Sequence, residues 1–169
     1  LYFWPAIAIF VFFHLLFFLA LALKNNGIAD IAWGVSFILT TSLAYFLRDD
    51  FENLRASIVW IYILLWGGRL AWHIFQRNIG KSEDFRYKKW RENWGKNVIL
   101  RSYLQVFVIQ GIVSLIVASA ALYIITFSQS ALTWLDFVGM GLWIFGFIFE
   151  SVADAQLKAF KSQKKNKGK

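Results

Sequence analysis

The sequence predicts an all-α, polytopic membrane protein, a transmembrane bundle of about five spans. Three observations lead there. Apolar residues make up 59% of the 169 residues and aromatic residues 20%, an excess over the composition of soluble domains that only lipid can cover. The apolar residues fall into long runs near the ~20 residues that a helix needs to cross a bilayer. The period-two alternation of an outer-membrane barrel is missing.

The spans follow in order. The first covers roughly Phe3–Leu23 and is almost pure hydrocarbon apart from His14. The second, about Ile28–Leu47, is opened by Asn25, Asn26, Gly27 and Asp30. The third, about Ala56–Arg77, carries a polar stripe of Arg69, His73 and Arg77, bordered by Trp66 and Gln76. Positions four and eight apart stay on one helix face. The fourth, about Val98–Phe127, is long enough to tilt or project past the membrane. The fifth, about Leu132–Ala155, contains Gly139, Gly141 and Gly146 and continues as a helix towards Phe160.

The chain reads as one transmembrane helical domain over residues 1–169. Residues 78–97 form a loop or interfacial helix and residues 158–169 a basic tail. Within Lys81–Trp94, charges alternate with Phe85, Trp90 and Trp94, the pattern of an interfacial amphipathic helix. Basic residues concentrate between Arg77 and Arg101 and again from Lys158 onward. An odd number of spans puts both clusters on one side, which the positive-inside rule makes cytosolic. Position 1 then lies opposite, and the Lys24–Gly27 turn inside. The first residues, LYFWPAI, lack the basic start of a signal peptide, and both ends read as cuts or processing sites in a longer protein.

Composition also excludes chemistry. With no cysteine, disulfides, thiolate nucleophiles, iron–sulfur ligation and cysteine zinc sites are ruled out. Two histidines, His14 and His73, argue against a multi-histidine metal centre, and no metal is expected. Any redox chemistry then falls to a bound organic cofactor. The formal charge of +8 sits mostly beside spans, so it suits membrane lipid headgroups or a phosphorylated small molecule rather than nucleic acid.

Ionisable groups in membrane spans are costly and usually face a bundle interior or a wet cavity. Asp30, His73, Arg77, Arg101, Glu150 and Asp154 all fall near the cytosolic ends of their spans. Arg77 is placed either to snorkel to headgroups or to hold an anion; Arg69, about two turns deeper, calls for a buried partner or an anionic ligand. Glu150 and Asp154, one turn apart, either pair with arginines or bind a ligand hydroxyl or amide while arginines take its phosphates. Asp30 fits a helix-dipole or capping role as well as a functional one. The run Glu83–Tyr87 is open between a solvated loop with local ion pairs and a site. His14 reads as a packing histidine.

Three stretches carry a resemblance: NGIADIAWG at Asn26–Gly34, WGGRLAWHIFQRNIGKSEDFRY at Trp66–Tyr87, and GFIFESVADAQLKAFK at Gly146–Lys161, leading into NKGK. With these in this order the chain resembles the steroid 5α-reductase superfamily, in particular its bacterial-type membrane branch. That resemblance implies an NADPH-dependent reductase of a conjugated carbon–carbon double bond in a lipid-like, steroid- or isoprenoid-like substrate. It makes Arg69, His73, Arg77, Glu150 and Asp154 cofactor-binding candidates; Asp154 matches a helix-end Asp that contacts the cofactor, and Glu150 replaces an Asn. Asp30 is the counterpart offered for the catalytic Glu, while Trp66 falls near a Tyr that polarises the substrate carbonyl. Asp30 and Tyr87 are the candidate catalytic residues. Relatives continue past the Asn-Lys-Gly-Lys segment into a Tyr-Thr-Arg-His-Pro-Asn-Tyr-like motif and two further helices. The competing expectations are a membrane methyltransferase using S-adenosylmethionine and a non-enzymatic membrane subunit. A haem protein ligated by His14 and His73 is disfavoured, because their depths differ by on the order of 8 Å.

Overall fold

The computed structural model describes residues 3–49, 51–128 and 131–163. Its elements are α1 (Phe3–Leu23), α2 (Ile28–Phe46), α3 (Leu54–Asn78), α4 (Phe85–Trp94), a 3₁₀ turn (Gly95–Asn97), α5 (Val98–Arg101), a π-helix (Ser102–Val108), α6 (Ile109–Phe127) and α7 (Trp134–Ser162). The described residues contain no strand. Five helical stretches are long and apolar enough to cross a membrane: α1, α2, α3, the run Phe85–Phe127, and α7. The part of the basic tail from Lys164 on, with its Asn-Lys-Gly-Lys segment, lies outside the described residues.

The span limits hold to within a few residues, and the differences have local causes. The Asn53 side chain accepts from the Ala56 N–H at 3.1 Å, so α3 starts at Leu54. The segment expected as a helix from Lys81 becomes one only at Phe85. Gly80 turns the chain at φ +72°, a conformation glycine adopts without strain, and Asp84 caps α4 by accepting from the Arg86 N–H at 2.9 Å. Five of the ten α4 residues are charged, so the crossing part of the Phe85–Phe127 run begins beyond it. That run is also not uniformly α-helical: the π-helix adds a residue per turn between α5 and α6, a feature frequent at functional sites. α7 opens on a Thr133/Asp136 capping box and continues past Phe160.

The chain divides into two compact units, one up to Ser130 and one from Ala131. The second consists of α7. In the first, α2 packs against α1, α3 and α6. It can do so because its buried positions, Phe37 apart, are small or hydroxylated: Ala29, Ala32, Gly34, Ser36, Thr40, Thr41 and Ala44. Close helix approach through small residues is the usual solution in lipid. Each hydroxyl is satisfied, as it must be away from water. Thr40 Oγ1 donates to the Ser36 carbonyl at 2.6 Å and Thr41 Oγ1 to the Phe37 carbonyl at 2.7 Å. Ser36 and Ser114 join α2 to α6 through their hydroxyls at 2.6 Å.

At the far end Tyr45 stacks on Trp60 at 4.4 Å and bonds Ser57 at 2.8 Å, while Asn53 Nδ2 donates to the Ser128 carbonyl. At the other end Ile9, Phe13, Phe17 and Ala20 of α1 bury one stripe against the start of α2 and the π-helix. Large apolar residues on the other faces, such as Phe10, Phe18 and Leu65, are exposed; a surface that greasy marks a lipid-facing one.

Removing Ser36 alone from the Ser36–Ser114 pair should cost more than removing both. Ser36→Ala strands the buried Ser114 hydroxyl, at about 1–3 kcal/mol, whereas Ser114→Ala leaves Ser36 its bond to the Trp33 carbonyl at 2.7 Å and the double alanine variant should come close to neutral. Thermal unfolding of the purified protein in detergent checks that ordering.

Candidate active site

One end of the first unit is built from two sequence stretches that lie far apart in the chain. Asn26, 1% exposed, is held from two other parts of the chain. Its backbone N–H donates to Glu83 Oε1 at 2.8 Å and its Nδ2 donates to Ser102 Oγ at 3.0 Å. Glu83 in turn takes a two-point contact from Arg91, 2.9 and 3.2 Å. The turn before α2 is thereby fastened to the loop before α4 and to the π-helix. Asp30, in the first turn of α2, is placed by that clamp.

Asp30 receives two donors from α4. The Tyr87 hydroxyl donates to Oδ1 at 2.5 Å, and an Arg86 guanidinium nitrogen donates to Oδ2 at 3.0 Å. Arg86 also holds Asp84 through Nε at 3.0 Å and through the same terminal nitrogen at 3.2 Å. Gln110 Nε2, from α6, donates to the Tyr87 oxygen at 3.4 Å. The result is a polar chain, Gln110 to Tyr87 to Asp30, with Arg86 bridging two carboxylates.

Tyr87 is buried at 4% exposure, and α4 lies outside the crossing stretches. Burial, then the hydrogen bond to Asp30, pushes its phenol well above the ordinary tyrosine range, so it keeps its proton at neutral pH. The Arg86 guanidinium, hydrogen-bonded to Asp84, holds that carboxyl below its usual value. A lowered carboxyl stabilises the folded state above its unfolded pKa and loses that contribution as pH falls through the folded value. The first turn of α4 should therefore stay capped at neutral pH and loosen only below the ordinary carboxylate range. Amide-exchange protection at Arg86, followed through an acid series, should show that loss. Asp84→Asn, which keeps an acceptor, should abolish the pH dependence.

These groups face an open cleft of about 680 Å³, lined among others by Asp30, Trp33, Arg77, Tyr87, Gln105 and Gln110. The size is within the range of small-molecule sites. Arg77 supplies an exposed guanidinium suited to phosphate oxygens. Gln110 keeps a buried amide oxygen with no hydrogen-bond partner among the described residues, which suits a ligand that brings an N–H or O–H donor. The cleft thus offers a ligand one exposed arginine and one amide oxygen without a partner among the described residues. Among the described residues no group of three or more His, Asp or Glu is placed to hold a metal ion.

The expected site residues are distributed unevenly. Asp30, Tyr87 and Arg77 share the cleft. The α3 face that lines it is Leu70, Ile74 and Arg77; Arg69 and His73, one position earlier on the helix, are half-buried and are not among its lining residues. Glu150 and Asp154 lie on one face of α7, half-buried, in the second unit, and the cleft is formed without them. Trp66 packs edge-on against Phe37 at 5.2 Å as part of the hydrophobic core. Sequence reasoning missed Arg86 and Gln110 as members of the site. An amide within an otherwise apolar span was the available signal for Gln110, shared with Gln105.

A family model described as "Protein of unknown function (DUF1295)" matches residues 16–169. The chain belongs to the DUF1295 family. No curated protein and no solved structure matches it. The part of this DUF1295 chain covered by the family includes every residue of the Asp30–Tyr87 cleft and all of α7, and leaves out α1 up to Leu15.

Proposed function

We propose that this chain is the core of a membrane-embedded, NADPH-dependent reductase acting on a conjugated carbon–carbon double bond in a lipid-like substrate. The observation that carries the reading is the Tyr87 hydroxyl, 2.5 Å from Asp30, facing a cleft with a guanidinium on its lining. Membership of a steroid 5α-reductase-like family and the three motifs in order support it. Arg77 would hold the cofactor at the cleft, with Arg69, His73, Glu150 and Asp154 the further candidates that the resemblance implies. The basic loop and tail would lie in the cytosol, where NADPH is dissolved, with position 1 on the opposite side. Substrate would arrive from the lipid.

When bound, NADPH supplies a hydride for the β-carbon of an enone. The protein's part is to stabilise the negative charge that then develops on the carbonyl oxygen. A carbonyl entering the cleft competes with Asp30 for the Tyr87 O–H. Gln110, donating to the same phenol oxygen, makes that O–H a stronger donor. Arg86 keeps Asp30 in place while Tyr87 turns to the substrate, and the α-carbon takes its proton from water in the open cleft.

The full-length protein in detergent should bind NADPH by calorimetric titration and not S-adenosylmethionine. Arg77→Ala should weaken NADPH about 10- to 100-fold, the loss of a charge-assisted contact. Binding of S-adenosylmethionine alone would favour a methyltransferase, and binding of neither a non-enzymatic subunit. Either result sinks the reductase.

A further inference from the structure

A second cavity, of about 250 Å³, opens between α1 and the π-helix with α6, lined by Ile9, Phe13, Phe107, Gly111 and Leu115, with His14 and Tyr103 also on its lining. Gly111 makes room for it and for Phe13 together, since a Cβ there would meet the Phe13 ring at 3.3 Å. Its outer residues Phe10 and Ile112 are more than half exposed, so it is reached from the lipid. The volume is below the range typical of drug-sized ligands, which suits a narrow chain better than a fused ring system.

The two polar lining residues define the rest of the ligand. His14 Nδ1 and the Tyr103 hydroxyl lie 3.1 Å apart, the one polar contact of either side chain among the described residues. A neutral imidazole and a phenol carry two hydrogens between them, and their mutual bond uses one. In either tautomer one N–H or O–H is left to donate. His14 lies nine residues before the end of α1 at Leu23, roughly 13 Å along the axis and well inside a hydrocarbon core ~30 Å thick. A donor at that depth needs an acceptor other than water. Phospholipid ester oxygens stay near the headgroups and do not reach it.

We propose that this cavity binds a neutral, long-chain lipid whose carbonyl oxygen dissolves in the membrane interior, the chain running along Phe13 and Leu115 and the oxygen accepting from the His14–Tyr103 pair. The site is separate from the Asp30–Tyr87 cleft, and occupancy is expected whether or not the cleft reduces anything. The π-helix borders both, through Tyr103 and Phe107 on one side and Gln105 and Val106 on the other.

Photolabelling of the full-length protein in phosphatidylcholine nanodiscs tests this. The probe is a long-chain methyl ketone with a mid-chain diazirine and a terminal alkyne. The controls are the matching alkane and a phosphatidylcholine carrying the same labelled chain. The ketone should label peptides containing Phe10–Phe13 and Ile112–Leu115, and excess unlabelled ketone should suppress that labelling. The double variant His14→Phe/Tyr103→Phe should lower it about three- to tenfold, the worth of one hydrogen bond, whereas each single variant still leaves one N–H or O–H to donate. Should those variants fail to fold, Ile112→Trp, an exposed position, should block the groove and abolish saturable labelling. Equal labelling by the alkane, equal occupancy by phosphatidylcholine, or label spread evenly over the exposed face of α7 would each overturn the proposal.

Discussion

Tyr87→Phe is expected to lower kcat by about 10²- to 10³-fold, the range for loss of one donor to a developing oxyanion, while leaving the fold intact. The ring is retained, so its packing in the core and its edge-on contact with Trp90 at 5.5 Å survive. Only the O–H between Gln110 and Asp30 is removed. The assay is NADPH oxidation by the full-length protein in mixed micelles with a conjugated steroid enone and with an isoprenoid enone. Asp30→Asn should do less harm to turnover, because an amide oxygen still accepts from Tyr87, but it removes the ion pair with Arg86. A merely structural role for Tyr87 predicts the reverse: an unchanged kcat in whatever protein remains folded, with a lowered unfolding midpoint. The pH profile gives a second discriminator. The Tyr87 phenol is pushed above its ordinary value, so an alkaline fall in rate should begin only above about pH 10 and should vanish in Tyr87→Phe.

The bundle was readable because apolar runs and their interruptions are a one-dimensional signal, and membrane thickness fixes their length. Asp30 was readable for a related reason, an ionisable group at the edge of a greasy helix. Its partners were not. Glu83, Asp84, Arg86 and Tyr87 fall within five residues, and spacing alone cannot say whether such a run bonds to itself or reaches across the bundle. It does both: Arg86 closes on Asp84 locally and on Asp30 at long range. The α3 stripe illustrates a different limit. A helical repeat identifies residues that share a face but not which face looks inward. Leu70, Ile74 and Arg77 line the cleft, one position round from the charged stripe of Arg69 and His73. The π-helix carried no sequence signal, since its residues are ordinary helix and strand formers whose extra residue per turn is imposed by packing. Gln110 came into view only once that packing was known.

Gly34→Leu or Gly67→Leu should prevent assembly of the first unit altogether, and even alanine should be costly. The two glycines face each other where α2 crosses α3. A Cβ on Gly67 would fall 2.7 Å from the Gly34 carbonyl oxygen, and one on Gly34 would lie 2.8 Å from the Ala71 nitrogen. These are backbone atoms, which cannot turn aside as a side chain can, so the helices must part. Overpacking of this kind costs about 1–3 kcal/mol for small additions and more for large ones. The alanine variants should therefore lower the unfolding midpoint in detergent, and the leucine variants should fail to fold. Gly68 is the internal control: no atom lies within 4 Å of a Cβ there, and replacing helical Gly by Ala otherwise favours the helix by about 1 kcal/mol. Gly68→Ala should thus be neutral or stabilising, although it is the next residue along the chain. An equal loss at Gly67 and Gly68 would mean that the crossing does not run through this pair.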